Sequence, residues 1–217
     1  MGSRAEIESS TVVPMFPCLV WKAQLKREFH EPLDRAILAK LAAMHEGRLA
    51  LAGGQSWQSA VDLHRLAELA PLVAVIEGVA GAILEFLRVR TASLGLTGCW
   101  ANVNAPGAAH RMHAHPNNFL SGVYYVQAPA GADSINFHDP RPQTAIIRPP
   151  VTELTAENTD QVVLPVRDGT LLLFAAWLPH SVDPNRSDRM RISVSFNLMF
   201  GAFTESLAKP LWGDSER

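Results

Sequence analysis

Three histidines within six residues are the feature of this sequence best suited to metal chemistry: His110, His113 and His115. In an extended segment, residues two apart point to the same side, so His113 and His115 could hold one ion. A fourth histidine, His180, follows the apolar run 171–179, where a strand would bring it to the end of a sheet. A lone histidine is most often a hydrogen-bonded core or surface residue. Clustering at this spacing instead predicts metal ligands.

A second feature is the alternation of polar and apolar residues along 191–200. Arg191 and Ser193 share one face of such a strand, whereas Ile192 and the apolar residues that follow share the other. If the polar face lines an interior, Arg191 needs an anion, and its planar guanidinium suits a carboxylate. A solvated edge strand is the alternative from the residues alone, and Arg189 is the alternative anion anchor.

The elements that must position these residues change in character along the chain. Residues 32–46 carry apolar side chains every three or four positions, which predicts a helix. Residues 62–90 are interpreted as two linked helices, with breaks or kinks at Pro71, Gly78 and Gly81. We expect these helices to pack as a lid on one sheet face.

Beyond residue 91 the sequence has short alternating or apolar runs separated by turns such as Asp168-Gly169, which is typical of strands. Tyr124 and Tyr125 face opposite ways on one of these strands, so one phenol can point into a pocket. Proline-containing residues 12–25 suit an additional edge strand. The other predicted strands are 98–104, 120–127, 134–137, 144–148, 161–166, 170–174 and 191–200.

These elements predict a mainly β fold with an α-helical N-terminal part: a double-stranded β-helix (jelly-roll, cupin-like) with packed helices. We expect a single domain over 1–217, with supporting elements in 1–95 and the core in 96–205. An immunoglobulin-type sandwich fits the number of strands but not the helical first half.

Composition narrows the class of protein. The 19 basic and 21 acidic residues are dispersed, so no nucleic acid or membrane partner is expected. We recognise no secretory signal and no apolar stretch of membrane-spanning length, which predicts a cytoplasmic protein. Cys18 and Cys99 form no CxxC pair and are expected to be reduced and buried. A homodimer is left open.

Nine segments, in order over almost the whole chain, resemble the 2OG-Fe(II) oxygenase family, within the larger group that includes prolyl hydroxylases and phytanoyl-CoA hydroxylases. They are Met15–Pro17, Gly54–Ser59, Trp100–Asn102, His113–Pro116, Ser121–Tyr125, Ile135–Arg141, Gly169–Phe174, Trp177–His180 and Arg191–Asn197. The resemblance implies a double-stranded β-helix that uses Fe(II), 2-oxoglutarate as cosubstrate and O₂.

The resemblance also implies a metal ligand set. His113 is similar to the first histidine of the family's H-x-D/E or H-x-H element, His115 to its second ligand, and His180 to the distal histidine. The wider superfamily has Asp or Glu at the position of His115. Asp139 is therefore the rival third ligand.

For 2-oxoglutarate, the resemblance implies that Arg191, eleven positions after His180, pairs with the carboxylate far from the metal. Tyr125 is similar to a tyrosine that helps to hold the same carboxylate in related hydroxylases. We assign Asn102 and Ser193 to the same cosubstrate site.

The expected function is oxidative decarboxylation of 2-oxoglutarate to succinate, coupled to hydroxylation of a small organic substrate whose identity the sequence does not indicate. One alternative is a cupin-like three-histidine dioxygenase or isomerase without 2-oxoglutarate. The other is a metal-free jelly-roll module that binds a ligand.

Overall fold

The computed structural model describes residues 7–45, 51–90, 93–142 and 149–201, which form two β-sheets and two α-helices. The helices are α1 (Arg27–Met44) and α2 (Ala70–Phe86), and short 3-10 turns at Leu63–Arg65 and Ala67–Leu69 precede α2. The strands are β1 (Val20–Gln24), β2 (Ser56–Gln58), β3 (Leu94–Asn104), β4 (His110–His113), β5 (Leu120–Gln127), β6 (Ser134–His138), β7 (Gln161–Pro165), β8 (Thr170–Ala175), β9 (His180–Val182) and β10 (Arg191–Phe200).

The two sheets give the jelly-roll that the sequence predicts. The large sheet has the strand order β1-β8-β5-β10-β3-β2, and the small sheet has the order β4-β9-β6-β7. Neighbouring strands within both sheets are antiparallel. Val123 and Phe174 of the large sheet pack with Ile135 and Phe137 of the small one. An apolar core therefore lies between the sheets.

The helices cover the outer face of the large sheet, as predicted. In α1, Leu33, Ile37 and Leu41 recur every four residues and are buried, and in α2 Leu72 and Ile76 do the same. This spacing places them on one stripe of each helix. They form a second apolar cluster with the side chains that the large sheet directs away from the small sheet.

Strand alternation gives the large sheet two chemically different faces. On β10, Val194 and Phe196 belong to the cluster beneath the helices. Arg191 and Ser193 are also buried, but they line a cavity on the other face. The polar face of this strand therefore lies inside the protein, and the alternative of a solvated edge strand is wrong. β10 is a central strand between β5 and β3.

A buried polar link joins α1 to the large sheet. The Tyr124 hydroxyl donates to Oδ1 of Asp34 at 2.6 Å, and Nδ1 of His30 lies 2.8 Å from Oδ2. Burial raises the pKa of the Asp34 carboxyl, and burial together with the Asp34 contact raises the pKa of Tyr124. His30 also packs on the turn before β8, where Gly169 has a φ of +76° and an added Cβ would lie 2.5 Å from the imidazole.

The boundaries of both helices differ from the prediction. α1 begins at Arg27 and contains Pro32, because the contacts of its first turns with the sheet outweigh the lost backbone donor. α2 continues through Gly78 and Gly81, where an added Cβ would meet open space. Burial of its opposite face holds the helix together. The short strands β2, β4 and β9 were not predicted, and the predicted strand 144–148 lies outside the described residues.

Two further expectations are corrected. Residues Ala67–Phe86 are helical and apolar enough to cross a membrane by length and composition, whereas no such stretch was expected. Several of these residues, including Leu72 and Ile76, belong to the core, as in the core helix of a globular protein.

Cys99 is buried as expected, but Cys18 is exposed, and both are free thiols.

Candidate active site

Three histidines, two from the small sheet and one from the segment after β4, meet at one end of the cavity. His113 ends β4 and His180 begins β9, and the two residues are direct partners across these strands. His115 follows two residues later, with its backbone N–H bonded to the carbonyl of Ala176 at 2.8 Å. One ring nitrogen from each histidine lies within 4.8 Å of the others. The cluster is thus close enough to hold one ion.

Backbone carbonyls orient two of the imidazoles. Nδ1 of His113 lies 2.8 Å from the carbonyl of Arg111, and Nδ1 of His180 lies 3.0 Å from that of Leu178. A carbonyl only accepts, so both Nδ1 atoms carry the proton and both Nε2 atoms keep a lone pair. Nε2 of His115 lies 3.4 Å from Nε2 of His180. Two nitrogens that bind one ion at about 2.1 Å and at right angles lie about 3 Å apart, so this spacing fits.

The environment keeps two of these imidazoles neutral. Burial is the main cause that lowers the pKa of His115 to about 4 and that of His180 to about 4, and the nearby His113 contributes to both values. Burial also lowers the pKa of His110 to about 4, with Arg191 as the next cause. Neutral imidazole is the form that binds a metal. The donor set therefore fits a divalent ion at neutral pH.

Arg191 faces the same cavity, which has a volume of about 640 Å³. Its side chain is buried, and Nη2 makes only long contacts, 3.4 Å to the hydroxyl of Tyr125 and 3.5 Å to the carbonyl of Ser134. Nε and Nη1 are buried without a partner, and no acid forms an ion pair with Arg191 within the described part of the chain. A buried cation with unpaired donors is costly, which indicates an anionic ligand.

The remaining residues assigned to the cosubstrate also lie around this cavity. Tyr125 is fully buried, and the guanidinium of Arg191 lies 5.2 Å from the centre of its ring. Ser193 pairs with Tyr125 on one side and with Asn102 on the other, and both Ser193 and Asn102 line the cavity. In contrast, Arg189 is exposed and does not line it. The fold therefore brings together all the predicted residues and leaves out the alternative arginine.

Asp139, the rival third ligand, does not join the histidine cluster. It lines a different cavity, and its carboxylate accepts hydrogen bonds from Nε of Arg141 at 2.9 Å and from Nη2 at 2.5 Å. The bond from Arg141 is the main cause that lowers the pKa of Asp139. The geometry thus favours His115 over Asp139 beside His113 and His180.

Sequence reasoning included His110 in the histidine cluster without a specific role and did not single out Arg111, yet both line the cavity. His110 pairs with Val182 while His113 pairs with His180, so β4 has one residue more than β9 between these two pairs. This β-bulge turns His110 and His113 toward the same side despite their odd spacing. Residues three apart on a regular strand face opposite ways, so the local sequence carried no signal for this arrangement.

An antiparallel jelly-roll with a three-imidazole cluster beside a buried anion site defines a class of metal-dependent enzymes. Residues 98–197 match the model of a protein family described as "Putative 2OG-Fe(II) oxygenase". This stretch is a 2OG-Fe(II) oxygenase domain, and its family makes it an oxidoreductase that uses Fe(II) and 2-oxoglutarate. The matched residues contain the histidine cluster and Arg191. No curated protein sequence matches the chain.

Solved structures share the fold at low sequence identity. A prolyl-4-hydroxylase from Pseudomonas putida is 15% identical, with 84% of this chain and 93% of that chain covered and a TM-score of 0.57. The α-ketoglutarate-dependent carbocyclase SnoK from nogalamycin biosynthesis is 18% identical, with 90% and 89% covered and a TM-score of 0.59. The epimerase SnoN, in complex with Fe³⁺, α-ketoglutarate and nogalamycin RO, is 18% identical, with 88% of each chain covered and a TM-score of 0.57.

Proposed function

We propose that this oxygenase hydroxylates a C–H bond of a small organic substrate, with Fe(II) bound by His113, His115 and His180. The observation that carries the proposal is the buried Arg191, whose Nε and Nη1 have no partner in the cavity that the three histidines share. A carboxylate of 2-oxoglutarate would pair with one fork of the guanidinium, either Nε with Nη2 or Nη1 with Nη2, and so satisfy a buried nitrogen that has no partner.

When bound, Fe(II) and 2-oxoglutarate supply the oxidising chemistry with O₂, and 2-oxoglutarate is converted to succinate and CO₂. The protein's own part is to bind and orient. His113 and His180 present their Nε2 lone pairs because backbone carbonyls hold the Nδ1 protons. A hydrogen bond from the ring nitrogen that does not bind the metal fixes the orientation of a metal-binding imidazole.

Tyr125 has a defined role in the proposed cosubstrate site. Its hydroxyl accepts from Nη2 of Arg191, so its own proton is directed elsewhere and can be donated to a carboxylate oxygen. Burial raises the pKa of Tyr125, which keeps this proton in place at neutral pH. Asn102 and Ser193 remain predicted contacts of 2-oxoglutarate, supported by their position in the same cavity.

Hydroxylation is proposed rather than epimerisation or ring closure because it requires only that one C–H bond be placed near the metal. Among the described residues, no carboxylate or lysine lines the cavity. The apolar wall, which includes Val123, Ile135 and Phe174, limits the access of water from the sheet side. The cytoplasmic location and the single-domain organisation stay predictions, and dimerisation stays open.

The test is the visible charge-transfer band that forms when 2-oxoglutarate chelates Fe(II) under anaerobic conditions. We expect the wild type to show the band. His180→Ala should lose both the bound iron and the band, and Arg191→Met should bind 2-oxoglutarate much more weakly. Arg189→Met is the matched control and should behave as wild type.

Each alternative function has its own outcome in this experiment. Iron binding without the band, at saturating 2-oxoglutarate, would indicate a cupin-like three-histidine enzyme that does not use this cosubstrate. A wild type that binds no iron would indicate a metal-free binding module. If Asp139→Ala loses iron and His115→Ala retains it, the proposed ligand set is wrong.

A further inference from the structure

The β-bulge in β4 brings a second arginine to the cavity. Arg111 and Met112 lie opposite the single residue Ser181 of β9, between the pairs formed by His110 and His113. On a regular strand two consecutive residues face opposite ways, but both Arg111 and Met112 line the cavity. Bulges re-aim side chains in this manner beside active sites.

Arg111 is free to bind a ligand. Its side chain is exposed at the cavity, and it makes no side-chain hydrogen bond or ion pair with any residue that the structure describes. Arg191, in contrast, is buried and contacts Tyr125. Both arginines thus line one cavity, with Arg191 buried and Arg111 in contact with solvent.

The charges around the cavity favour an anion at this outer position. Arg111 and Arg191 line it, whereas no Asp or Glu of the described chain does. Three neutral imidazoles would leave Fe(II) with both its positive charges, in contrast to a site with a carboxylate ligand. Dianionic 2-oxoglutarate offsets two of the four positive charges of the ion and the arginines, so two remain. A partly enclosed cavity strengthens this attraction for a further anion.

Apolar side chains line the same cavity as Arg111. Met112 is 62% exposed, and Trp57 and Trp100 also line the cavity, with the ring of Trp100 5.9 Å from that of His115. An exposed methionine and two indoles in one cavity offer contact area for an apolar body. The region thus combines a fixed charge with an apolar surface next to the histidine cluster.

We propose, on the basis of the oxygenase function proposed above, that the substrate is a small amphipathic acid whose anionic group binds Arg111. Its apolar body would contact Met112, Trp57 and Trp100, which places a C–H bond toward the three histidines. The planar guanidinium suits a carboxylate or a phosphate, because both offer two oxygens in the required plane.

The test measures binding of model acids to the protein loaded with Fe(II) and 2-oxoglutarate without oxygen. The probes are benzoate, 3-phenylpropanoate and 5-phenylpentanoate, each with its neutral amide, and phenyl phosphate, and their dissociation constants are measured by calorimetry. We expect at least one acid to bind about tenfold or more tightly than its amide, as a charge-assisted contact provides. Arg111→Gln should remove this preference, and Arg189→Gln should keep it.

The outcomes separate this inference from the proposed function. Absence of the visible band before any probe is added contradicts the oxygenase proposal itself. If the band forms but no carboxylic acid binds better than its amide and phenyl phosphate does not bind either, the substrate inference is wrong. It is also wrong if Arg111→Gln binds the acids or phenyl phosphate as tightly as the wild type does. Loss of the band on addition of an acid also overturns it, since the acid would then have displaced 2-oxoglutarate from Arg191. Binding of phenyl phosphate alone supports the inference and identifies phosphate as the group recognised.

Discussion

Replacement of Arg191 by methionine should stabilise the metal-free protein while it greatly weakens 2-oxoglutarate binding. Arg191 is 2% exposed, and its Nε and Nη1 have no partner. Methionine has a similar length and no donors to leave unpaired. A buried charge that is paired only when the ligand is bound destabilises the folded protein when the ligand is absent.

The magnitude follows from the contacts. Two unsatisfied donors cost about 1–3 kcal/mol each. The cation–π contact with Tyr125, 5.2 Å from guanidinium to ring centre, offsets about 2 kcal/mol of this cost. The long hydrogen bonds of Arg191 to Tyr125 at 3.4 Å and to Ser134 at 3.5 Å offset about 0.5 kcal/mol each. With the burial of an apolar side chain added, the net gain for Arg191→Met is about 2 kcal/mol. In a protein of this size that raises the melting temperature by about 4–8 °C.

The assay is thermal unfolding, followed by circular dichroism, of metal-free and anaerobic Fe(II)-loaded protein with and without 2-oxoglutarate. A ligand at a hundredfold excess over its Kd stabilises the wild type by about 2.7 kcal/mol, and at the same concentration this increment should fall below about 1 kcal/mol in Arg191→Met. Arg189→Met should change neither quantity. A lower melting temperature for metal-free Arg191→Met would refute the reasoning, because it would mean that water already satisfies the guanidinium.

Three further predictions concern the fold and the metal site. Gly122→Ala should destabilise the protein by about 1–3 kcal/mol in urea unfolding, because the new Cβ would lie 2.3 Å from a phenyl ring of β10 and 2.5 Å from a carbonyl of β8, whereas Gly95→Ala, with nothing within 4 Å, should have little effect. The raised pKa of Asp34 means that the folded state binds its proton more tightly than the unfolded state. The wild type should therefore lose stability relative to Asp34→Asn as the pH rises from 3.8, the ordinary pKa of this carboxyl, through its pKa in the folded state. If urea unfolding gives the same pH dependence of the free energy of unfolding for both proteins, this prediction is wrong. In iron analysis His115→Asp should retain more metal than His115→Ala, and Asp139→Asn should match wild type, so iron loss in Asp139→Asn would count against the three-histidine set.

Local patterns in the sequence determined much of the architecture. The repeat of Leu33, Ile37 and Leu41 predicted the buried stripe of α1, and the alternation from Arg191 onward predicted the two faces of β10. Both depend only on the geometry of one helix or one strand, in which side-chain direction repeats with a fixed period. The same rule placed His113 and His115 on one side of the chain.

Tertiary structure decided which of these residues meet. His180 lies 65 residues from His115 in sequence, and the antiparallel pairing of β4 with β9 brings the two together. Sheet pairing also placed Asp139 in another cavity and left Arg189 exposed, so the open alternatives at both positions were resolved by packing. The bulge that carries Arg111 to the cavity could not be read from the sequence, because an extra residue in a strand is defined only by the partner strand beside it.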